Sequence, residues 1–210
     1  MSDYITGSQL LATLGITNPS SQQTSDANAA VDAASRAIDN MCNRSFAAAG
    51  TAVSTYYYSP VDWQTLDIHD CTSVTTLFTR DDGIDIDTSD GGGQTWTLNT
   101  DFFLLPLNAD GPAQVETKPY TSLQVNPIGS YTFNIYYPRS VKLTGVFGWP
   151  ATPPAIIDAT TLLAERLFKM KREAPLGVLA FSDVAIRIAR ADSNLMILVG
   201  PYVKHRAALG

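Results

Sequence analysis

The stretch "VKLTGVFGWPATPPAII", residues 141–157, changes from the period of a strand to the period of a helix. Its first half predicts a strand with one apolar face, interrupted by a glycine at 145, which carries Val141, Leu143, Phe147 and Trp149. Pro154 suits the first position of a helix, because the N–H that proline lacks would have no partner there. We therefore predict that Phe147 and Trp149 pack a β-rich region against the helix that follows.

Helical patterns precede and follow this junction. Ser25 is the predicted N-cap of an amphipathic helix whose apolar face is mainly alanine, and the polar residues 17–28, "TNPSSQQTSDAN", are predicted to be largely loop. A shorter helix near residue 10 comes before that loop. After the junction, we predict a helix from Pro154 to just before Pro175, a strand or extended arm over 184–189, and a last helix capped by Asp192 or Ser193.

Between the helical patterns, residues 51–149 contain short β-branched and aromatic segments separated by turn-rich stretches. The segments are "STYYYSP", "QTLDIHD", "SVTTLFTR", "QTWTLNTDFFLLP" and "SYTFNIYYP". The predicted class is α+β, with an antiparallel β domain over 51–149 inserted into a helical bundle. Residues 1–50 and 150–210 supply the helices of that bundle.

Composition narrows the classes of function. The chain of 210 residues has a net charge of −6, which speaks against a protein that wraps nucleic acid with a basic face. No apolar run approaches the ~20 residues of a membrane span, and residues 1–10 do not resemble a signal peptide. Cys42 and Cys71 are predicted to be buried free thiols, as is usual in a reducing cytoplasm.

The strongest candidate for catalysis is the stretch "DIHDC". On a regular strand His69 and Cys71 would share one face, where they could form a nucleophile pair or, with Asp67, a three-ligand metal site. The alternative is a half-exposed histidine near a turn. We favour the alternative, because no second cluster in the sequence completes a site, and we predict no catalytic, cofactor or metal residue.

Two further patterns have a functional and a structural interpretation. Asp85, Asp87 and Ser89 have the spacing that begins a calcium loop, but Asp90 stands where the loop needs glycine and Trp96 where it needs glutamate. We therefore favour a solvated hairpin. The tyrosines of "TYYYSP" and "NIYYP" could stack bases or sugars, but few basic residues accompany them, and packing on the sheet is favoured.

The order of these segments resembles a known family. The segments that carry the resemblance are "AAVDAASRAIDNMCNRSF", "TLDIHDCTSVTTLFTRDDG", "WTLNTDFFLLPLNA", "VKLTGVFGWPATPPAI", "LLAERLFKMKREAPLGV" and "ADSNLMILVGPYVKH". Together they resemble the head–tail connector, or head-completion adaptor, family of tailed bacteriophages and gene transfer agents. The resemblance covers nearly the whole chain, and its most specific part is the Gly-x-Phe-Gly-Trp-x-x-x-Pro junction at 145–153.

This resemblance implies a structural protein of the virion neck that is made in the host cytoplasm. About twelve copies would form a ring beneath the portal protein, extend the DNA channel and attach the tail or the next neck protein. DNA would pass through without sequence-specific binding, and no cofactor is implied. The alternatives are another neck or tail-completion protein of the stopper kind and, less favoured, a small cytoplasmic enzyme using His69 and Cys71.

The resemblance also suggests that the C-terminal segment, residues 201–210, docks onto the portal. Pro201 should end the preceding helix, so that the segment leaves the bundle. The predicted docking residues are one aromatic anchor, one aliphatic residue and two cations: Tyr202, Val203, Lys204 and Arg206. A frayed terminus is the alternative.

Overall fold

The computed structural model describes residues 2–88, 91–109, 117–173 and 192–204. The chain divides into two compact units. One contains the chain up to residue 47 and from residue 152 onward, and the other contains residues 48–151. The first unit is helical and the second holds a six-stranded antiparallel sheet, so the predicted α+β class is confirmed.

The helical unit has four α-helices among the described residues, followed by one turn of 3₁₀-helix at Gly200–Tyr202. They are α1 (Gly7–Thr13), α2 (Ser21–Cys42), α3 (Pro154–Glu173) and α4 (Ser193–Val199). Helix α2 packs against α1 and α3, and α4 packs against α3. Small side chains on the buried face of α2 let its neighbours approach closely: Ala27, Ala30, Ala34 and Ala37. The predicted starts at Pro154 and after the Asp192 cap are confirmed.

Helix α2 begins five residues before the predicted position, so the assignment of Ser25 as its N-cap is wrong. Ser20 is the N-cap. Its hydroxyl accepts a hydrogen bond from the Gln23 backbone N–H at 3.2 Å, while the Gln23 side-chain oxygen accepts one from the Ser20 N–H at 2.8 Å. This reciprocal capping box satisfies two backbone donors and turns most of the predicted loop into helix.

As a result, Asp26 lies inside α2 rather than in its first turn. Its carboxylate is buried and pairs with the Lys171 ammonium of α3 at 2.5 Å. The ion pair joins α2 and α3. Asp26 therefore stabilises the packing of these two helices and does not stabilise the N-terminus of α2.

The β-rich unit contains strands β1 (Ser54–Tyr58), β2 (Thr65–Thr79), β3 (Gln94–Trp96), β4 (Phe102–Leu105), β5 (Tyr120–Val125) and β6 (Val141–Phe147). The sheet order is β1-β6-β2-β5-β4, with β3 paired to β2. Two segments predicted as separate strands are joined in the 15-residue β2. Register shifts between 67 and 71, 71 and 73, and 74 and 76 interrupt its pairing. These irregularities allow the first part of β2 to pair with β5 and its last part to pair with β6 and β3.

One other prediction in this region is wrong, because residues 130–138 contain no strand. The segment predicted to be β-rich at 94–106 forms two strands, β3 and β4, with a turn between them. Strand β5 was not predicted at all. The aromatic residues of 130–138 nevertheless enter the core, where the Phe133 ring stacks on Trp96 at 5.0 Å between ring centroids. Aromatic composition thus indicated burial there, but not backbone conformation.

The core of the β-rich unit comes from every strand except β1, and from residue 133. Its buried members are Leu66, Ile68, Cys71, Leu77, Trp96, Phe102, Leu123, Val125, Phe133, Val141 and Leu143. Within the described ranges, the helices are all too short or too polar to cross a membrane.

Candidate functional surfaces

The structure separates the two members of the predicted catalytic pair. The register of β2 shifts between Asp67 and Cys71, so His69 is exposed whereas Cys71 is fully buried. The His69 ring stacks on Tyr56 at 4.7 Å between centroids, and its Nδ1 lies 2.9 Å from the Tyr58 hydroxyl. A bulge has therefore moved the two side chains to different environments, and His69 belongs to an aromatic cluster.

The Cys71 thiol is also in the wrong protonation state for a nucleophile. Burial raises its pKa to about 11, and its Sγ lies 3.0 Å from the Ser73 carbonyl oxygen, to which the S–H donates. A reactive cysteine needs a lowered pKa and access to solvent. In the part of the chain that the structure describes, no group of three or more His, Cys, Asp or Glu side chains is arranged to hold a metal ion.

We expect the double variant His69→Ala, Cys71→Ser to fold and assemble as the unmodified protein does. The serine hydroxyl can donate to the Ser73 carbonyl in place of the thiol, so the loss of stability should stay below about 2 kcal/mol. Urea unfolding and incorporation into particles measure the two effects. A folded variant that no longer assembles would show that these side chains have a function beyond packing.

A buried arginine organises the aspartate-rich hairpin. Arg80 is 2% exposed and donates from Nε and Nη2 to the two carboxylate oxygens of Asp82 at 2.8 and 2.9 Å. Its Nη1 donates to the Thr88 carbonyl at 3.1 Å. These bonds hold the base of residues 81–88, whose turn presents the exposed side chains of Ile84 and Asp85. We call residues 81–88 the acidic hairpin.

The carboxylates that resemble the start of a calcium loop take part in ion pairs. Asp87 accepts hydrogen bonds from Lys142 Nζ at 2.6 Å and from the Tyr57 hydroxyl at 2.8 Å. These partners, Lys142 foremost, lower the pKa of Asp87. Asp85 lies 3.9 Å from Arg139. Ser89 and Asp90 lie outside the described residues. The arrangement matches a solvated hairpin tied to the sheet.

The tyrosine-rich segments do not form one stacking platform. Tyr58 packs against the core, while Tyr57 lies on the surface with the Arg139 guanidinium 4.5 Å from its ring centroid. Tyr136 is 74% exposed and meets Trp63 edge to face at 5.5 Å. Tyr58 therefore packs on the sheet as predicted. Tyr136 does not, and it contributes to an exposed apolar surface.

The C-terminal segment remains on the helical unit as far as it is described. Phe46 is fully buried, and the Tyr202 ring packs edge to face on it at 5.8 Å. The Lys204 backbone N–H donates to the Cys42 carbonyl at 2.8 Å. The expectation that the chain leaves the bundle directly after Pro201 is therefore wrong up to Lys204. Arg206 lies outside the described residues, and the docking role of this segment stays a prediction.

Trp149 joins the two ends of the β-rich unit. Its backbone carbonyl accepts a hydrogen bond from the Ala49 N–H at 2.6 Å, and its indole N–H donates to an Asp70 carboxylate oxygen at 3.0 Å. The Gly148 N–H donates to the Asp70 carbonyl at 2.7 Å, from a backbone φ of 125° that favours glycine. Phe147 is half-buried against Tyr56. The predicted packing of Phe147 and Trp149 against the helices stays a prediction.

The helical unit contains a recess that the sequence did not reveal. Leu14, Ile16 and Phe168 supply its apolar side chains, and Lys169 and Arg172 contribute two exposed cations. Its volume is about 410 Å³. We call it the α1–α3 groove. Only the fold brings residues 14 and 16 beside these cations of α3.

Comparison with solved structures finds a likeness along almost the entire chain. The neck of an empty GTA particle, computed with C6 symmetry, contains a chain that matches with a TM-score of 0.52 at 16% identity, over 99% of this chain and 93% of that one. This chain shares its fold with a protein of a gene transfer agent neck. The predicted resemblance is thereby confirmed at the level of the fold.

Two related structures match the neck-protein fold less closely. The neck of a native GTA particle, computed with C12 symmetry, gives a TM-score of 0.47 at 14% identity over 97% of this chain and 93% of that one. The virion of the native gene transfer agent particle gives 0.49 at 16% identity over 99% and 93%. No protein-family model and no curated protein sequence matches the chain.

Proposed function

We propose that this chain is a structural protein of a virion neck, and specifically a head–tail adaptor. About twelve copies form a ring beneath the portal, extend the DNA channel and provide the attachment site for the tail or the next neck protein. The observation that carries the proposal is the likeness in fold, over 99% of the chain, to a protein in a gene transfer agent neck that was computed with C6 symmetry. A cyclic neck is consistent with a ring of identical copies.

The arrangement of the most reactive side chains favours this role over catalysis. His69 and Cys71 lie in different environments, and burial keeps the Cys71 thiol protonated. Three carboxylates of the acidic hairpin are paired with cations: Asp82 with Arg80, Asp85 with Arg139 and Asp87 with Lys142. These groups stabilise the β-rich unit, which suits a protein whose work is assembly.

Passage of DNA is consistent with the balance of charge. The chain carries a net charge of −6, so a ring of identical copies is strongly acidic overall. Binding to duplex DNA depends on cations that displace the counterions of phosphate. A predominantly acidic wall therefore lets DNA slide past without holding it.

We propose further that the C-terminal end of the chain docks onto the portal, through Tyr202, Val203, Lys204 and Arg206. Tyr202 and Lys204 place the segment on the helical unit, where the Phe46 and Cys42 contacts fix its direction. A terminal segment of six further residues follows Lys204 and carries Arg206. A cationic end on an otherwise acidic chain suits an acidic groove on the partner.

Deletion of residues 205–210 tests this docking role, because it preserves the Tyr202–Phe46 and Lys204–Cys42 contacts. We expect an unchanged melting temperature and at least about a tenfold loss of attachment to portal-bearing heads, since the truncation removes Arg206 from the interface. Sedimentation of heads with labelled protein measures attachment.

The matched control is Lys118→Glu, which changes an exposed cation in the β-rich unit and should attach normally. If the truncated protein joins heads at the normal level, the portal contacts another surface. If the unmodified protein does not attach, the adaptor role itself is contradicted.

A further inference from the structure

The α1–α3 groove has the character of a binding surface for an acidic segment with one apolar anchor. Leu14 and Ile16 are half-buried and offer apolar surface there, whereas Phe168 is 1% exposed and forms the floor. Gly15 lies between them, with no neighbouring atom within 4 Å of an added Cβ. The Arg172 guanidinium lies 5.7 Å from the Phe168 ring centroid. Lys169 and Arg172 are both exposed, so the groove has a local excess of positive charge in a chain of net charge −6.

The acidic hairpin has the complementary character. Ile84 is 49% exposed at the turn, and Asp82 and Asp85 lie on either side of it in the sequence. The Asp85 side chain is 60% exposed, lies 3.9 Å from Arg139 and accepts a hydrogen bond from the Asp87 N–H at 3.0 Å. Arg80 binds Asp82 and the Thr88 carbonyl, which holds the two ends of the hairpin together. A loop whose base is already held loses less conformational entropy on binding.

We propose that the acidic hairpin of one copy binds the α1–α3 groove of the next copy in the ring. Ile84 packs against the half-buried side chains of Leu14 and Ile16, and the carboxylate of Asp85 pairs with Lys169 and Arg172. The two surfaces are different, so the contact is head-to-tail, and repetition of such a contact closes a ring when the rotation between copies allows it. This contact rests on the proposed ring and identifies the residues that join its subunits.

Charge reversal tests the contact in the full-length protein. Sedimentation velocity over a concentration series should show self-association of the unmodified protein, weakened as salt rises from about 0.05 to about 0.5 M because the paired charges are screened. Lys169→Glu and Asp85→Lys should each lower the association constant at least about tenfold. The double variant Lys169→Glu, Asp85→Lys should recover most of the association, because the two charges are exchanged.

Matched controls separate this contact from a general effect of charge. Lys118→Glu and Asp67→Lys make the same changes of charge at exposed residues that belong to neither surface, and both variants should associate normally. Melting temperatures confirm that each variant is folded. Rings that persist unchanged in both Lys169→Glu and Asp85→Lys would overturn the contact while leaving the ring intact. Loss in both variants without recovery in the double variant would also overturn the pairing. An unmodified protein that stays monomeric at every concentration would contradict both the contact and the proposed ring.

Discussion

Replacing Trp149 by alanine should lower the free energy of unfolding by about 3–5 kcal/mol, the largest effect that we expect from a single substitution. The indole is 1% exposed, so the substitution leaves a large cavity. It also removes the hydrogen bond to Asp70, which leaves part of a carboxylate without its donor. Because Trp149 joins the two ends of the β-rich unit, the loss should affect the whole unit.

Urea unfolding followed by circular dichroism measures this change. Trp63→Ala is the matched control: its ring is 41% exposed and contacts Tyr136 at the surface, so its cost should stay below about 1 kcal/mol. An equally small cost for Trp149→Ala would mean that the indole does not stabilise the fold. Trp149 would then be a candidate contact for a partner protein.

Gly145→Ala should lower the free energy of unfolding by about 2–3 kcal/mol, as overpacking of a close contact does. A Cβ added at Gly145 would lie 2.3 Å from the Ser73 carbonyl oxygen and 3.2 Å from the Val74 Cα. Both are backbone atoms of β2 beside its irregular pairing, so the two strands must separate to accept a methyl group.

Gly50→Ala provides the control for this substitution. Gly50 is exposed, and the nearest atom to an added Cβ, the Ala52 backbone nitrogen, lies 3.9 Å away. Its effect should be within about 0.5 kcal/mol of zero. Equal stability of the two variants would show that β2 and β6 can separate at no cost, contrary to the geometry of the sheet.

The fold class could be predicted from the sequence because the spacing of apolar residues follows which face of a helix or strand is buried. The alternation through β6 and the proline at the start of α3 placed both elements correctly. The start of α2 was harder to predict, since Ser20 and Ser25 are both acceptable N-cap residues when considered alone. What distinguishes them is the side chain three residues later: Gln23 completes a capping box with Ser20.

Strand pairing was harder to predict, because it depends on residues distant in sequence. Strand β5 was missed although Leu123 and Val125 alternate with polar residues, and the aromatic residues of 130–138 enter the core without joining the sheet. The interpretation of His69 and Cys71 depended on a regular strand, and the register shift in β2 separated them. A bulge is set by the partner strand, which a local pattern does not contain.

The surfaces proposed for assembly also combine features that a local sequence pattern predicts with features that only the fold reveals. The aspartates of the hairpin are close together in the sequence, and so are the cations at the end of α3. Arg80 beneath the hairpin, and Leu14 and Ile16 beside Phe168, became related to those clusters only through the fold. The positions of the charged residues along the chain could therefore be predicted. The shapes of the two proposed surfaces could not.

Negative-stain electron microscopy of the purified protein tests the central claim most directly. The account predicts closed rings with a central hole and about twelve copies, whose mass can be checked by light scattering. Particles should become more numerous with concentration and, if the proposed charged surfaces join the copies, rarer in high salt. Compact single subunits at every concentration and salt, with no ring in any field, would contradict the assignment of this chain as a ring-forming neck protein.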